Sequence, residues 1–326
     1  MQNEKTSKNY LTISNVNDYI QDNLEQDICN FSANTFLKTG FRNIDQKNTF
    51  LPGLYVLGAI SSLGKTTFAH QLADQIIQQN HPVLFFSLEQ SKLELVTKSL
   101  SRIMALQDAD TAKTSAEIRS CADISTINKA KKFYNRFSAY LSIVEGNFNT
   151  TIDEIKTCID AYMDQSHEKT PVIMIDYLQI IKCRHTNDTC QSVEYCIQKL
   201  KHIQEKYKCI LIVVSAINRQ NYLNTIDFSA FKNSGAIEYT ADVVWGMQLH
   251  ILSEASYDEL WSINKKRESV VTAKSQTPRE IQICVLKNRF GHSGGTYEFD
   301  YFPAYDYFAV SKKYWSRPNA LKINRR

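Results

Sequence analysis

Residues 59–66 read Ala-Ile-Ser-Ser-Leu-Gly-Lys-Thr, where an apolar, strand-like run gives way to a helical pattern. A glycine–lysine–threonine triplet at such a junction suits the gripping of a phosphate chain. Ser61, Ser62 and Gly64 are small enough to leave backbone N–H groups free around phosphate oxygens, and the opening turn of a helix adds the positive end of its dipole. Lys65 is long enough to bring its charge to β- and γ-phosphates, and the Thr66 hydroxyl can ligate Mg2+. The phosphate-loop pattern carries a glycine where this chain has Ala59, a replacement tolerated wherever the backbone is open to L-residues. Ala59, Ser61, Ser62, Leu63, Gly64, Lys65, Thr66 and Thr67 are the candidate nucleotide-binding residues. The bland alternative is a chance triplet in a strand-to-helix turn. The strand before it and the helix after it argue against that.

Triphosphate chemistry needs two more groups. A carboxylate has to complete the Mg2+ shell. Asp176 closes the apolar run Val172–Ile175, and the carboxyl ends of strands are where open α/β sheets bind ligands. A base or water-positioning group is also required. Glu89, in Phe-Phe-Ser-Leu-Glu-Gln, flanks the phosphates if its strand lies beside that of Asp176. Its spacing suits equally an acid in the first turn of the next helix, and the spacing leaves both roles open.

To position these groups the chain offers short apolar runs alternating with helical patterns. The runs lie at 54–58, 82–87, 140–145, 171–176, 209–215 and 242–249, continuous rather than alternating, and a further strand pattern follows at 280–286. Runs of that kind suit a parallel sheet buried on both faces, with crossover helices. The helix after the loop groups Phe68, Ala69, Leu72, Ala73, Ile76 and Ile77 on one face, and a later one groups Val193, Ile197, Leu200, Ile203 and Tyr207. Residues 254–279 are polar and weakly periodic and read as a surface excursion. Gly291, Gly294 and Gly295 then separate two strand patterns, which predicts a β-hairpin with a tight turn. The polar N-terminal segment contains one short amphipathic stretch, with Val16, Tyr19, Ile20 and Leu24 on one helical face. A helix that short is unstable alone, so it is expected to dock on the body of the protein or on a neighbouring subunit.

Bulk composition is permissive. With 326 residues, 43% of them hydrophobic, the chain can bury one large core, or one core and an appendage. No apolar run approaches ~18 residues and no signal-peptide core opens the chain. No membrane contact is therefore expected, and the setting expected is cytoplasmic. Eight cysteines at irregular spacings read as reduced thiols. Cys183, His185, Cys190 and Cys196 match no closed zinc-site spacing. The net charge of +4 does not announce a nucleic-acid binder. Residues 311–326 are rich in Lys and Arg and hold no acid, which suits either a solvated end or a segment drawn to a phosphate backbone.

Taken in order, these segments resemble the C-terminal motor domain of the DnaB family of replicative hexameric helicases, from about residue 39 to residue 308. Residues 38–59 are similar to the family's lead-in to its phosphate loop, and 85–90 to the strand bearing its catalytic glutamate. Asp176–Gln179 is similar to its Asp-Tyr-Leu-Gln segment, and 233–244 to its Ser-Gly-Ala-Ile-Glu…Ala-Asp segment. The resemblance implies an α/β fold, a RecA-like P-loop NTPase core with a mainly parallel sheet flanked by helices and a C-terminal β-hairpin. It moves Glu89 toward general base. It implies that Lys287 and Arg289 reach into a neighbouring subunit's ATP site, where they would otherwise be solvated edge-strand charges. It also implies two loops on a central channel, carrying Lys182 and Arg184 in one and Lys232, Asn233, Ser234 and Gly235 in the other. Such loops track single-stranded DNA by its phosphates; the plain alternative is polar surface loops.

Two departures qualify the match. Ala216 stands where the family has a glutamine that senses the γ-phosphate, and residues 1–34 leave no room for the family's N-terminal collar. The expected organisation is an N-terminal segment with a linker-type helix (1–34), an ATPase domain (35–310) and a basic tail (311–326). The expected function is an oligomeric motor, a hexamer by resemblance, that hydrolyses ATP with Mg2+ and moves on single-stranded DNA. The alternative is a nucleotide-switched assembly or regulatory ATPase with weak hydrolysis.

Overall fold

The computed structural model describes residues 15–33, 37–120, 124–165, 169–183, 189–218, 222–231, 234–259 and 262–312. The chain divides into two compact units, residues 1–37 and 38–326. The first holds α1 (Val16–Asp22) and α2 (Leu24–Ala33). Asn15 caps α1 by accepting the Asp18 N–H. The single amphipathic helix expected here is interrupted at Asn23, whose φ of −127° leaves the helical region.

In the second unit the elements run α3 (Arg42–Asp45), β1 (Gly53–Ala59), α4 (Lys65–Ile77), β2 (Val83–Ser87), α5 (Lys92–Gln107), α6 (Ser115–Arg119), α7 (Asn128–Tyr134) and β3 (Leu141–Glu145). They continue with α8 (Ile152–Met163), β4 (Val172–Asp176), α9 (Thr189–Tyr207), β5 (Ile210–Ala216), α10 (Ser234–Thr240) and β6 (Val243–Leu249). Last come α11 (Ala255–Asp258), α12 (Ile263–Ser275), β7 (Arg279–Asn288), β8 (Thr296–Phe302) and β9 (Tyr307–Val310). The strands form one sheet ordered β3-β2-β4-β5-β1-β6-β7-β8-β9. Pairing is parallel from β3 through β6 and antiparallel from β6 onward. Every residue of β1, β2, β4 and β6 is buried, as their unbroken apolar runs require of strands covered on both faces.

The C-terminal hairpin exists, with two differences from expectation. Its turn is not tight. β8 pairs with β7 only as far as Cys284, while Lys287 and Asn288 run on beside β6, so a longer connection carries residues 289–295. A further strand, β9, follows a left-handed turn at Asp306 (φ 50°) and pairs with β8. The surface excursion contains α12, on which Ile263 and Val271 are exposed.

Behind α4 lies a buried polar network. Asp74 accepts from Arg102 Nη1 (2.6 Å), Ser99 Oγ (2.6 Å) and Tyr134 OH (3.0 Å), and Arg102 Nε donates to the Asp306 carbonyl (2.8 Å). It ties α4, α5, α7 and the turn before β9 together. Removing one partner of a buried ion pair strands the other charge. Arg102→Met is therefore expected to lower folding stability by about 3 kcal/mol, read as a lower urea midpoint at unchanged m-value. A midpoint equal to that of the unmodified chain would show that the network does not fasten these helices.

Candidate nucleotide site

β1 ends at the buried Ala59, and the chain turns through Ile60–Gly64 into α4. Gly64 caps α4 with φ at 89°, in the left-handed region. A Cβ there would also come within 2.9 Å of the Tyr301 ring and 3.0 Å of the Phe308 ring. Ile60 and Leu63 are buried while Ser61 and Ser62 are exposed, so two side chains anchor the loop and its serines lie at the surface. Ser62 holds φ at 68°. The loop's rim is braced from distant segments. Arg279 Nη1 donates to the Ser62 carbonyl (2.7 Å), and the Tyr222 hydroxyl lies 3.3 Å from Ser61 Oγ. Neither brace has a sequence signal, since each lies more than a hundred residues from the loop and touches it only after folding. Thr67 turns inward, where its hydroxyl donates to Asp306 (3.3 Å), leaving its backbone N–H for the helix end.

The charged groups converge as the strand order dictates. Ser87 pairs with Asp176 across β2 and β4, and the Leu88 N–H donates to the Asp176 carbonyl at 2.9 Å. Glu89 follows at once, exposed, in the connection to α5. α5 is capped by Ser91, with Glu94 closing the capping box. The first-turn acid of that helix is thus Glu94, and Glu89 is left beside the carboxylate of β4. Asp176 is buried and bonded by the Thr66 hydroxyl, yet its Oδ2 has no hydrogen-bond partner. Burial pushes its carboxyl up to about 6, the Thr66 hydroxyl pulls it back, and Glu89 pushes it further up. Burial likewise draws the Lys65 ammonium below its ordinary value, opposed by Asp176. Its Nζ rests 3.4 Å from the Ile60 carbonyl. A buried carboxylate with one unbonded oxygen, beside a threonine hydroxyl, is a donor set that fits Mg2+, which takes hard oxygen ligands and phosphates.

Ala216 ends β5, and Gln179 reaches it from the turn after β4. Gln179 Oε1 accepts the Ala216 N–H (2.9 Å) and its Nε2 donates to Ser215 Oγ (2.8 Å). The strand tip thus carries a glutamine amide borrowed from the neighbouring strand's exit.

The remaining candidates fall in two places. Lys182 is exposed, its N–H donating to the Thr150 carbonyl (2.9 Å). Ser234 opens α10, and Gly235 is exposed with open space beside its Cα. Arg184, Lys232 and Asn233 lie outside the described residues. Lys287 and Arg289 stand at the opposite edge of the sheet. The Arg289 N–H donates to the Asp242 carbonyl (3.0 Å), and the Asp242 carboxylate accepts the N–H of Leu54, at the start of β1 (2.8 Å). The phosphate loop begins where β1 ends, and seven strand residues span about 20 Å. Cys196 is buried, while His185 lies outside the described residues along with the Cys190 side chain. Among the described residues no helix is long and apolar enough to cross a membrane.

Fold and site together define a P-loop nucleotide-binding module with a RecA-like sheet. Its fold is similar to the ATPase domain of G40P (TM-score 0.68, 18% identity, 92% of this chain and 100% of that chain). It is also similar to a DnaB-like replicative helicase (TM-score 0.67, 17% identity, 91% and 67%). Residues 37–310 match the DnaB-like helicase C terminal domain, and the chain belongs to that family. The replicative DNA helicase DnaB of Helicobacter pylori strain J99 is 25% identical over 286 residues, 81% of this chain and 57% of the relative. That of Buchnera aphidicola subsp. Baizongia pistaciae is 27% identical over 225 residues, 64% and 46%. A probable plasmid replicative DNA helicase of Chlamydia muridarum is 25% identical over 287 residues, 86% and 56%. The chain spans about half the length of these curated relatives.

Keeping a charged carboxylate buried with one oxygen unbonded costs stability, and an amide of the same shape relieves that cost. Asp176→Asn is expected to raise the melting temperature of the nucleotide-free protein and to abolish the further rise that MgATP gives the unmodified chain. Equal stabilisation by MgATP in both proteins would remove Asp176 from the cation's shell.

Proposed function

We propose that this chain is an ATP-hydrolysing motor of the DnaB type that assembles with copies of itself, as a hexamer, and translocates on single-stranded DNA. The observation that carries the reading is the separation of its charged groups. Lys65, Thr66, Asp176 and Glu89 gather at the carboxyl ends of β1, β2 and β4, whereas Lys287 and Arg289 sit by the opposite end of β1. A separation of about 20 Å is beyond the reach of an arginine side chain. Arg289 can thus meet a triphosphate only on another copy.

In this reading the amides of residues 59–67 and the Lys65 ammonium hold the β- and γ-phosphates, while Thr66 and Asp176 hold Mg2+. Mg2+ held by Thr66 and Asp176 would supply positive charge against the charge that develops on the phosphates. Glu89 orients the attacking water and takes its proton. The neighbour's Arg289, with Lys287 beside it, stabilises the charge on the transferring group. Lys182 and Arg184, with the segment Lys232, Asn233, Ser234 and Gly235, contact the DNA backbone. Residues 1–34 serve as a segment with a linker-type helix, residues 35–310 as the ATPase domain and residues 311–326 as a basic tail. The setting is cytoplasmic.

An arginine finger accounts for about 10³–10⁵ in rate. Arg289→Ala is expected to bind ATP normally and to lose at least about 10³ of its turnover, with ring mass by native mass spectrometry unchanged. Near-normal turnover would refute the trans contact. Single-stranded DNA is expected to stimulate the unmodified chain, with stimulation falling steeply as salt rises. Slow turnover indifferent to DNA, with ATP-dependent assembly, would point instead to a regulatory switch.

A further inference from the structure

Asp242 gathers donors from three other elements onto one buried carboxylate. Its Oδ2 accepts the Leu54 N–H at 2.8 Å and the Lys201 ammonium at 2.6 Å. Its Oδ1 accepts from Arg289 Nη1 at 3.0 Å, and its backbone carbonyl takes the Arg289 N–H at 3.0 Å. The two side chains differ in exposure, 4% for Asp242 against 55% for Arg289. Arg289 is therefore held at its backbone and at one guanidinium nitrogen, while the rest of its fork faces solvent. Lys287, two residues before, donates to the Glu238 carbonyl. Its ammonium is depressed first by burial and then by Arg289. Two cations, Lys201 and Arg289, thus share the Asp242 carboxylate, while Lys201 also meets Glu205 at 3.7 Å. The root of Arg289 is rigid as well. The next residue, Phe290, packs on Gly53, where a Cβ would lie 2.7 Å from its ring.

We propose that Asp242 is a positioning residue for ATP turnover, aiming the Arg289 guanidinium at the triphosphate of a neighbouring copy. The proposal rests on the trans reading of Arg289 above. A long side chain that must be ordered during the reaction loses rate, whereas a donor already fixed costs no reorganisation. Asp242 and the Lys201 that neutralises it belong to the same chain as Arg289, so the finger is formed before any neighbour arrives. The same contacts could in principle withhold the finger, and that role predicts the opposite sign.

Asp242→Asn keeps the shape and an acceptor for Leu54 but loses the charge that orients Arg289. Assayed in the full chain with saturating MgATP and single-stranded DNA, its kcat is expected to fall about 10–100-fold at unchanged KM and unchanged oligomer mass. In an Arg289→Ala background the same substitution is expected to cost nothing further, because Asp242 acts only through Arg289. A rise in kcat would identify a withholding latch, and an equal loss in the Arg289→Ala background would identify a merely structural residue; either overturns the proposal. If Asp242→Asn fails to fold because Lys201 is left unpaired, Asp242→Asn with Lys201→Met removes both charges and is read the same way. Full turnover in Arg289→Ala would refute the trans reading itself. Slow Arg289→Ala with full-speed Asp242→Asn would refute only the role of Asp242.

Discussion

An ionisable carboxylate sealed inside the protein with one oxygen unbonded is the constraint around which the carboxyl edge of the sheet is arranged. Asp176 and Lys65 are both desolvated, each shifted toward its neutral form by burial and each drawn back by the other. Groups of this kind are expensive to keep and concentrate where chemistry is done. The strand order makes the arrangement possible. β4 lies between β2 and β5, and β1 lies on the far side of β5. Glu89, Asp176 and the phosphate loop consequently emerge from the same rim.

The antiparallel end of the sheet reaches both rims. At the start of β7, Arg279 braces the loop from the side, and Tyr301 and Phe308 close against Gly64 from behind. At the end of β7, Arg289 is carried to the opposite edge. One strand thus joins the brace of the phosphate loop at one end to the root of Arg289 at the other. The buried Asp74–Arg102 pair and the Asp306 turn lock α4 against this second wall.

Much of this was legible in the residues. Unbroken aliphatic runs identified the parallel strands, because a strand covered on both faces has no solvent side to mark with polar residues. The places of the Gly-Lys-Thr triplet, Asp176 and Glu89 after strand ends were readable because each follows an apolar run. That Glu89 lies outside the first turn of α5 was not readable, since it turned on whether Ser91 or an earlier residue capped that helix. β9 was missed because it is four residues long and enters from a left-handed turn. The break at Asn23 was hidden by an apolar periodicity that continues across it. Arg279, Tyr222 and Asp242 gain their significance only through partners far along the chain, which periodicity cannot report.

Gln179 has a mechanical consequence. Its amide fastens the exit of β4 to the exit of β5, at Ser215 and Ala216. The segment bearing Lys182 hangs from the first exit, and the segment leading through Asn218 toward α10 hangs from the second. A single side chain therefore ties the roots of both segments to each other. With alanine at the tip of β5, the amide found there belongs to Gln179, so the polar end of that strand is fixed from the exit of its neighbour, next to Asp176.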